Sequence, residues 1–430
     1  MDVNNNSSGK RPWSWIPSLY FAQGIPYVVV MTISVIMYKK LGVSNTDIAY
    51  YTSWLYLPWV IKPLWSPLID IFKTKRFWIV ALQMIIGASL AAVAFTIPMD
   101  AYFQWSIAVF WLMAFSSATH DIAADGFYML GLEQHQQAAF VGVRSTFYRI
   151  AMITGQGALV YLAGYLETHS GSIATAWSIT FFILAGIFLS LAMYHRFMLP
   201  YPVSDKSVVE KASASAVLKE FFRTFGSFFK KKEIIVVLCF LLFYRFAEAQ
   251  LVKLVTPFLL DSRTDGGLGL TTSDVGIAYG TVGVICLTLG GLLGGYVISK
   301  RGLRFWLWIM VFAIHLPDAM FVYLSYMQPE NFAIICAAIG VEQFGYGFGF
   351  TAYMLYMVMI SDGPYKTAHY AICTGFMALG MMIPGMFSGK LQDAIGYQHF
   401  FLWVMASTIP GFVVALLVKI DPEFGKKKSQ

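Results

Sequence analysis

The stretch FWIVALQMIIGASLAAVAFTI, residues 77–97, runs for 21 residues without a charge. At about 1.5 Å of rise per residue, a helix of that length covers about 30 Å, the thickness of a bilayer's hydrocarbon core. Its polar side chains are Gln83, Ser89 and Thr96, and Lys75 and Arg76 stand just before it. Working outward, the same pattern recurs to both ends of the chain. Apolar runs bounded by polar breaks fall near 16–38, 47–69, 105–130, 138–166, 174–198, 233–260, 273–298, 304–327, 331–360, 367–388 and 398–419, so with the first run they predict twelve crossings. Of the 430 residues, 58% are hydrophobic and 12% charged, against about 25% charged in ordinary soluble domains. With a mean hydropathy of +0.63, a water-soluble fold would be left with apolar patches it could not cover. The predicted class is an all-α, multi-pass membrane protein whose first partner is the lipid bilayer.

The rest of the composition closes other classes. Cys239, Cys286, Cys336 and Cys373 lie inside apolar runs without CxxC spacing, so neither a disulfide framework nor a zinc site is expected, and no cofactor is called for. The net charge of +7 does not point to nucleic acid, because the cations gather in short loops between apolar runs, where membrane proteins set their topology. If the N-terminus is cytoplasmic, 22 Lys and Arg fall on the inner side and four, Lys39, Lys40, Arg263 and Lys390, on the outer. That asymmetry predicts both termini in the cytoplasm. The first run follows Lys10 and Arg11 as a signal peptide would, but it continues to Tyr38 without a small-residue cleavage site and reads as a mature helix.

The longest polar break, 199–232, divides six runs from six, giving an N-terminal bundle (1–198), a cytoplasmic linker and a C-terminal bundle with a basic tail (233–430). Within the linker, SVVEKASASAVLKEFFRTFGSFFKKK (207–232) reads either as an amphipathic helix on the membrane surface or as a plain basic connection. The halves resemble each other. FAQ at 21–23 pairs with FAE at 246–248, TDIAY at 46–50 with SDVGI at 273–277, and RFW at 76–78 with RFW at 304–306, all at a nearly constant offset. A parallel repeat of six helices is the build of major facilitator transporters. In the loop PLIDIFKTKR (67–76) Asp70 stands where the superfamily's loop motif has its acid, and the counterpart GYVISKRGLR (295–304) keeps the glycines. Asp70, Arg76, Arg301 and Arg304 are therefore candidate gating residues.

Charges within such runs are costly unless they face a cavity or a partner, so each is a functional candidate. Asp121 and Asp125 in THDIAADGFY (119–128) share a helix face at i and i+4. Two carboxylates on one partly buried face resist joint ionisation, which suits proton handling. Glu248 and Glu342 join them as proton-coupling candidates. Arg245 and Glu248 stand three apart, as an intrahelical ion pair or as a pair that opens during a transport cycle. Lys62 and Arg149 are candidates for substrate carboxylates, arginine because its planar fork binds two oxygens. Gln23, Tyr27, Trp65, Tyr148, Arg245, Gln250 and Gln343 offer hydrogen bonds and aromatic faces to a polar solute such as a sugar. Lys253 is expected to snorkel outward, and Asp318, beside Pro317, to bond locally at a kink. The pair His120 and Asp125 matches a two-residue acyltransferase pattern, but nothing near it completes a reaction site; no enzyme is expected.

The stretches LYFAQGIPY (19–27), IKPLWSPLID (61–70), SSATHDIAADGFY (116–128), TFYRIAM (146–152), FYRFAEA (243–249), VEQFGYGFGFTAYM (341–354) and TAHYAI (367–372) resemble, in order, the AmpG-type muropeptide permeases. These are major facilitator proteins akin to acetyl-CoA transporters. The resemblance implies a twelve-helix major facilitator fold in two six-helix bundles in a bacterial inner membrane. It implies proton symport of N-acetylglucosaminyl-1,6-anhydro-N-acetylmuramic acid and its peptides, by a monomer. Lys62, Asp70, Asp121, Asp125, Arg149 and Glu342 fall on matching polar positions, and Arg245 and Glu248 match by charge. Pro63 departs from the Phe of the better-known enterobacterial members, and their two additional C-terminal helices have no counterpart before KKKSQ. A siderophore or a coenzyme-linked acyl group is the alternative solute.

Overall fold

The computed structural model describes residues 12–132, 134–202, 205, 214–362 and 366–425. Among them all regular structure is helical. Each apolar run of the sequence meets a helical segment: α1 (16–40), α2 (45–71), α3 (Lys75–Thr96), α4 (Tyr102–Gly131), α5 (134–170), α6 (Ile173–Met198), α7 (234–260), α8 (Thr272–Arg301), α9 (Leu303–Met327), α10 (Phe332–Ile360), α11 (366–395) and α12 (397–417). From 366 to 406 these two form one helical run except at Gly396, whose φ of 74° takes the left-handed backbone that an L side chain resists, and a turn at Ser407–Thr408 precedes the last segment of α12. Nine stretches among the described residues are long and apolar enough to cross a membrane; α2, interrupted at Leu55–Tyr56, and α5, which carries Arg144 and Arg149, are not among them.

Local chemistry explains several boundaries. The recurrence of TDIAY as SDVGI is a repeated helix start. Ser44 accepts the amide of Asp47 at 3.0 Å and donates to its carboxylate at 2.7 Å, and Thr271 does the same with Asp274 at 3.1 and 2.6 Å. Each reciprocal pair satisfies amides that the first helical turn leaves open. At the start of α3, Thr74 accepts the Phe77 amide, and the linker's Asp205 accepts the amides of Lys75 and Arg76 at 2.7 and 3.0 Å. Three helices carry π-turns: Val29–Ile33 in α1, Thr154–Leu159 in α5 and Gly276–Gly283 in α8. Such turns concentrate where a helix must aim a functional side chain.

The chain forms two compact units. The first contains Met1–Val30, Ile61–Gly155 and Leu166–Phe222. Its core gathers Trp15, Tyr20, Ile79, Phe127 and Tyr128. Beside it runs a polar chain in which the partly buried Ser18 meets His195 at 2.9 Å, and the fully buried His195, Gln83 and His120 continue it at 2.8 and 3.0 Å. Each of these side chains thereby finds a partner away from water, as buried polar groups require. His120 is a structural member of this chain, three helices from its farthest link.

The second unit contains Met31–Val60, Gln156–Tyr165 and Arg223–Gln430. Its core stacks Phe240, Tyr244, Tyr353 and Tyr356, with the Tyr353 hydroxyl donating to the Leu241 carbonyl at 2.6 Å. Two stretches from the first half of the sequence pack here. The reason is close backbone approach: a Cβ on Gly389 of α11 would overlap the Asn45 carbonyl of α2, and one on Gly280 of α8 would overlap the Gln156 carbonyl of α5. The linker forms a helix, Ala214–Phe228, whose last turns dock on this unit. Phe228 is fully buried in the core and Ser227 meets His369 at 2.9 Å, while Phe222 stays exposed.

Candidate functional site

The first unit presents charges from α2, α4 and α5 and uncharged polar groups from α1. Asp125 accepts from Arg144 at 2.8 Å and from the Tyr20 hydroxyl at 3.2 Å, and the Arg144 guanidinium lies over the rings of Tyr20 and Tyr128 at 4.5 and 5.1 Å. One helical turn away, Lys62 on α2 stands 3.9 Å from Asp121, both partly exposed. The i, i+4 spacing does put both aspartates on one face, and each has its own cation. Arg144 is helical, within the first turns of α5, which begins at Gln134. Tyr148 lies within electrostatic reach of Tyr27, Asp121 and Asp125, and Arg149 follows it half-buried on α5. Gln23 is buried with its carbonyl oxygen unpartnered, and Trp65 packs on Phe115 at 5.5 Å with its indole N–H unpartnered. This face combines cations with open hydrogen-bonding groups, the means by which a protein holds a polar, anionic solute.

Two of the gating candidates, Arg76 and Arg301, have contacts of their own. Arg76 donates to the Leu199 and Arg196 carbonyls at the end of α6 and stacks on Tyr201 at 3.8 Å. Arg301 lies over Phe305 at 5.0 Å and Arg304 is exposed. The Asp70 side chain lies outside the described residues.

In the second unit, α7 is interrupted at Tyr244–Arg245, and Arg245 caps the segment Phe246–Leu260 that carries Glu248. Arg245 donates to the Tyr346 hydroxyl and stacks on Phe350 at 4.8 Å, while neither oxygen of Glu248 has a hydrogen-bond partner. Gln343 donates to Glu342 at 2.9 Å. Gln250 accepts from the Trp403 indole at 2.8 Å and is therefore committed to α12. Asp318 does not bond locally at its kink: both its oxygens are unpartnered, and it faces Glu248 and Glu342. The signal in the sequence was the acid itself beside a proline, within an apolar run.

Lys253 corrects the expectation of snorkelling. It is 2% exposed, donates to the Thr52 hydroxyl at 2.9 Å, and lies over the Tyr56 ring at 5.2 Å. Packing of the α2 segment 45–60 against α7 cuts it off from the interface. No carboxylate among the described residues comes within ion-pair distance of it. Replacing a poorly compensated buried amine with an apolar isostere is neutral or stabilising. Lys253→Met should therefore raise the detergent-solubilised melting temperature by about 2 °C or more; a fall would mean that the amine holds α2 and α7 together.

A polar cluster that the sequence did not single out closes one end of the second unit. Lys39 pairs with Asp261 at 2.5 Å. Asn45 donates to Gln392 at 2.7 Å and Tyr397 at 2.9 Å, Tyr397 donates to Asp261 at 2.5 Å, and Thr46 donates to Asp393 at 2.5 Å. These residues sit in loops and helix ends, where polar side chains are unremarkable in sequence. They join the α1–α2 connection to the ends of α7, α11 and α12.

The profile described as Major Facilitator Superfamily matches residues 18–364. A Rickettsia conorii protein named as a transporter, AmpG 4, is 26% identical over 416 residues, covering 93% of this chain and 94% of the relative. The anhydromuropeptide permease of Escherichia coli is 24% identical over 413 residues, covering 94% of this chain and 79% of the relative. Among solved structures, the nucleoside transporter NupG aligns with a TM-score of 0.67 at 17% identity over 95% of this chain and 99% of its own. A D-xylose–proton symporter aligns at 0.69 and 14% over 96% and 98%.

Proposed function

The chain belongs to the Major Facilitator Superfamily, a family of transporters and not of enzymes, and from that premise we propose that it imports anhydromuropeptides across a bacterial inner membrane in symport with protons. The observation that carries the substrate class is the resemblance along nearly the whole chain to the Escherichia coli anhydromuropeptide permease. The chemistry of the first unit suits it. Lys62 and Arg149 bind the lactyl or peptide carboxylates, and Gln23, Tyr27, Trp65 and Tyr148 meet the sugar rings with hydrogen bonds and aromatic faces.

Coupling follows from competition at Lys62. A substrate carboxylate that binds Lys62 displaces Asp121 from its 3.9 Å partner. The freed Asp121 then favours a proton, so solute and proton load together. Twelve crossings, with both termini cytoplasmic by the cation asymmetry, put the Lys39–Asp261 cluster on the outer side, where it acts as the outer gate. Asp70, Arg76, Arg301 and Arg304 serve the inner side. The protein works as a monomer.

The test is uptake of labelled anhydromuropeptide into proteoliposomes with an imposed pH gradient, competed separately with free sugar and free peptide. Accumulation that the disaccharide competes and peptide alone does not is the expected result. No uptake by protein that melts cooperatively would move the solute to another large polar class.

A further inference from the structure

Three carboxylates meet inside the second unit. Glu248 on α7, Asp318 in the Leu316–Asp318 turn of α9 and Glu342 on α10 are each 1% exposed, and one oxygen from each lies within 4.8 Å of the other two. The sequence brings them together through Gly345, whose missing side chain lets α10 sit against the Ala313 carbonyl and the Pro317 ring just before Asp318. Clustering alone would not make a site. The pointer to a ligand is separate: both oxygens of Glu248 and both of Asp318 are buried without a hydrogen-bond donor. Buried polar groups in proteins are otherwise nearly always satisfied.

The surrounding side chains do not supply what is missing. Arg245, whose charge reaches Glu248, donates to Tyr346 instead. Tyr279 lies within electrostatic range of Glu342 and Glu248, and its hydroxyl group is engaged with Gln343. Lys253 on the same helix turns to Thr52, and His315 packs against Tyr244 and Phe412. Three ionised carboxylates beside one arginine leave two negative charges uncompensated, and like charges so close in a dry interior do not all ionise.

We propose that Glu248, Asp318 and Glu342 form one site for a small hard cation, a proton or a sodium ion. Donors that are all oxygen select hard cations. Two opposed bonds of the length that calcium makes to oxygen span about 4.6–5.2 Å, and sodium has nearly calcium's radius, so the triad can close on such an ion with little movement. A proton shared between two of the carboxylates meets the same charge demand. Neutralising the triad also lets Arg245 keep its bond to Tyr346. The inference deepens the coupling reading above by adding a second cation site, with Asp318 as its third member, yet its first test needs no substrate.

Purified full-length protein is melted at constant pH and ionic strength with sodium replaced stepwise by choline, and again without sodium across a pH series. Wild type is compared with Asp318→Asn and Glu248→Gln. A melting temperature that rises with sodium in wild type and is flat in both variants assigns sodium. A sodium-independent wild type whose pH dependence is shifted in the variants assigns the proton. Identical sodium and pH responses in wild type and variants overturn the proposal. Should a variant not fold, Glu342→Gln, whose new amide keeps a hydrogen-bonding partner in Gln343, takes its place.

The transport arm uses labelled anhydromuropeptide. The amide variants should lose gradient-driven accumulation by about tenfold or more while keeping solute exchange between equal concentrations within about twofold, because exchange does not require cation release. If wild type moves no muropeptide at all, the substrate reading fails while the melting series still decides the cation site. Accumulation by both amide variants equal to wild type removes the triad from coupling.

Discussion

Gly389→Leu is expected to reduce transport by about tenfold or more and to hold one end of the second unit open. The α-carbon of Gly389 lies against the backbone of the α2 start, so that even a Cβ would overlap the Asn45 carbonyl and come 2.8 Å from the Thr46 Cα. Neither neighbour is a flexible side-chain tip that can swing away. The contact must separate, and with it the hydrogen bonds of Asn45 to Gln392 and Tyr397 and the Thr46–Asp393 bond. Because these bonds and the Lys39–Asp261 pair hold the same end, they are lost together. The measurement is the reactivity of a single Thr46→Cys with a membrane-impermeant maleimide, in a background without Cys239, Cys286, Cys336 and Cys373, alongside uptake. Labelling should rise as transport falls. Unchanged protection with wild-type transport would show that α2 and α11 need not meet in the cycle.

Asp121→Asn should abolish accumulation driven by a pH gradient while leaving passive exchange of solute. At 3.9 Å the Lys62–Asp121 attraction is about 4 kcal/mol at an effective dielectric of about 20, before desolvation and exposure reduce it. A pair this long and partly exposed is weak enough for a solute carboxylate to replace it. Asparagine cannot take or release the proton, and it leaves Lys62 permanently free for the solute. The solute should therefore bind at least as tightly while the gradient no longer drives it. Undiminished accumulation in the variant would remove Asp121 from coupling. Asp125→Asn tests a different bond, since Asp125 is held by Arg144 and Tyr20 rather than Lys62, and it should act through the position of Arg144 over the Tyr20 ring.

Much of the protein is legible before any coordinates. Hydropathy places every helix and most of their ends to within a few residues, because a span must be apolar for about 20 residues whatever it packs against, but the polar stretch after residue 388 stays helical as far as Ile395. The repeated TDIAY and SDVGI stretches marked two equivalent helix starts, and both prove to be reciprocal capping pairs. The i, i+4 spacing of Asp121 and Asp125 fixed their common face, since that follows from helix pitch alone.

What the sequence could not decide are relations between helices distant along the chain. The 3.9 Å approach of Lys62 to Asp121 joins α2 to α4, and the triad of Glu248, Asp318 and Glu342 draws one carboxylate from each of three helices. Local rules gave the wrong partner in two cases for the same reason. Arg245 and Glu248 are three apart, but the Arg245 side chain is drawn to Tyr346 and Phe350 of α10, and Lys253 has the reach to snorkel but is covered by Thr52 and Tyr56 from a segment about two hundred positions earlier. Helix periodicity settles which face a residue occupies; only the packing of faces, here set by close approach at Gly389, Gly280 and Gly345, determines which charges meet and which stay without a partner.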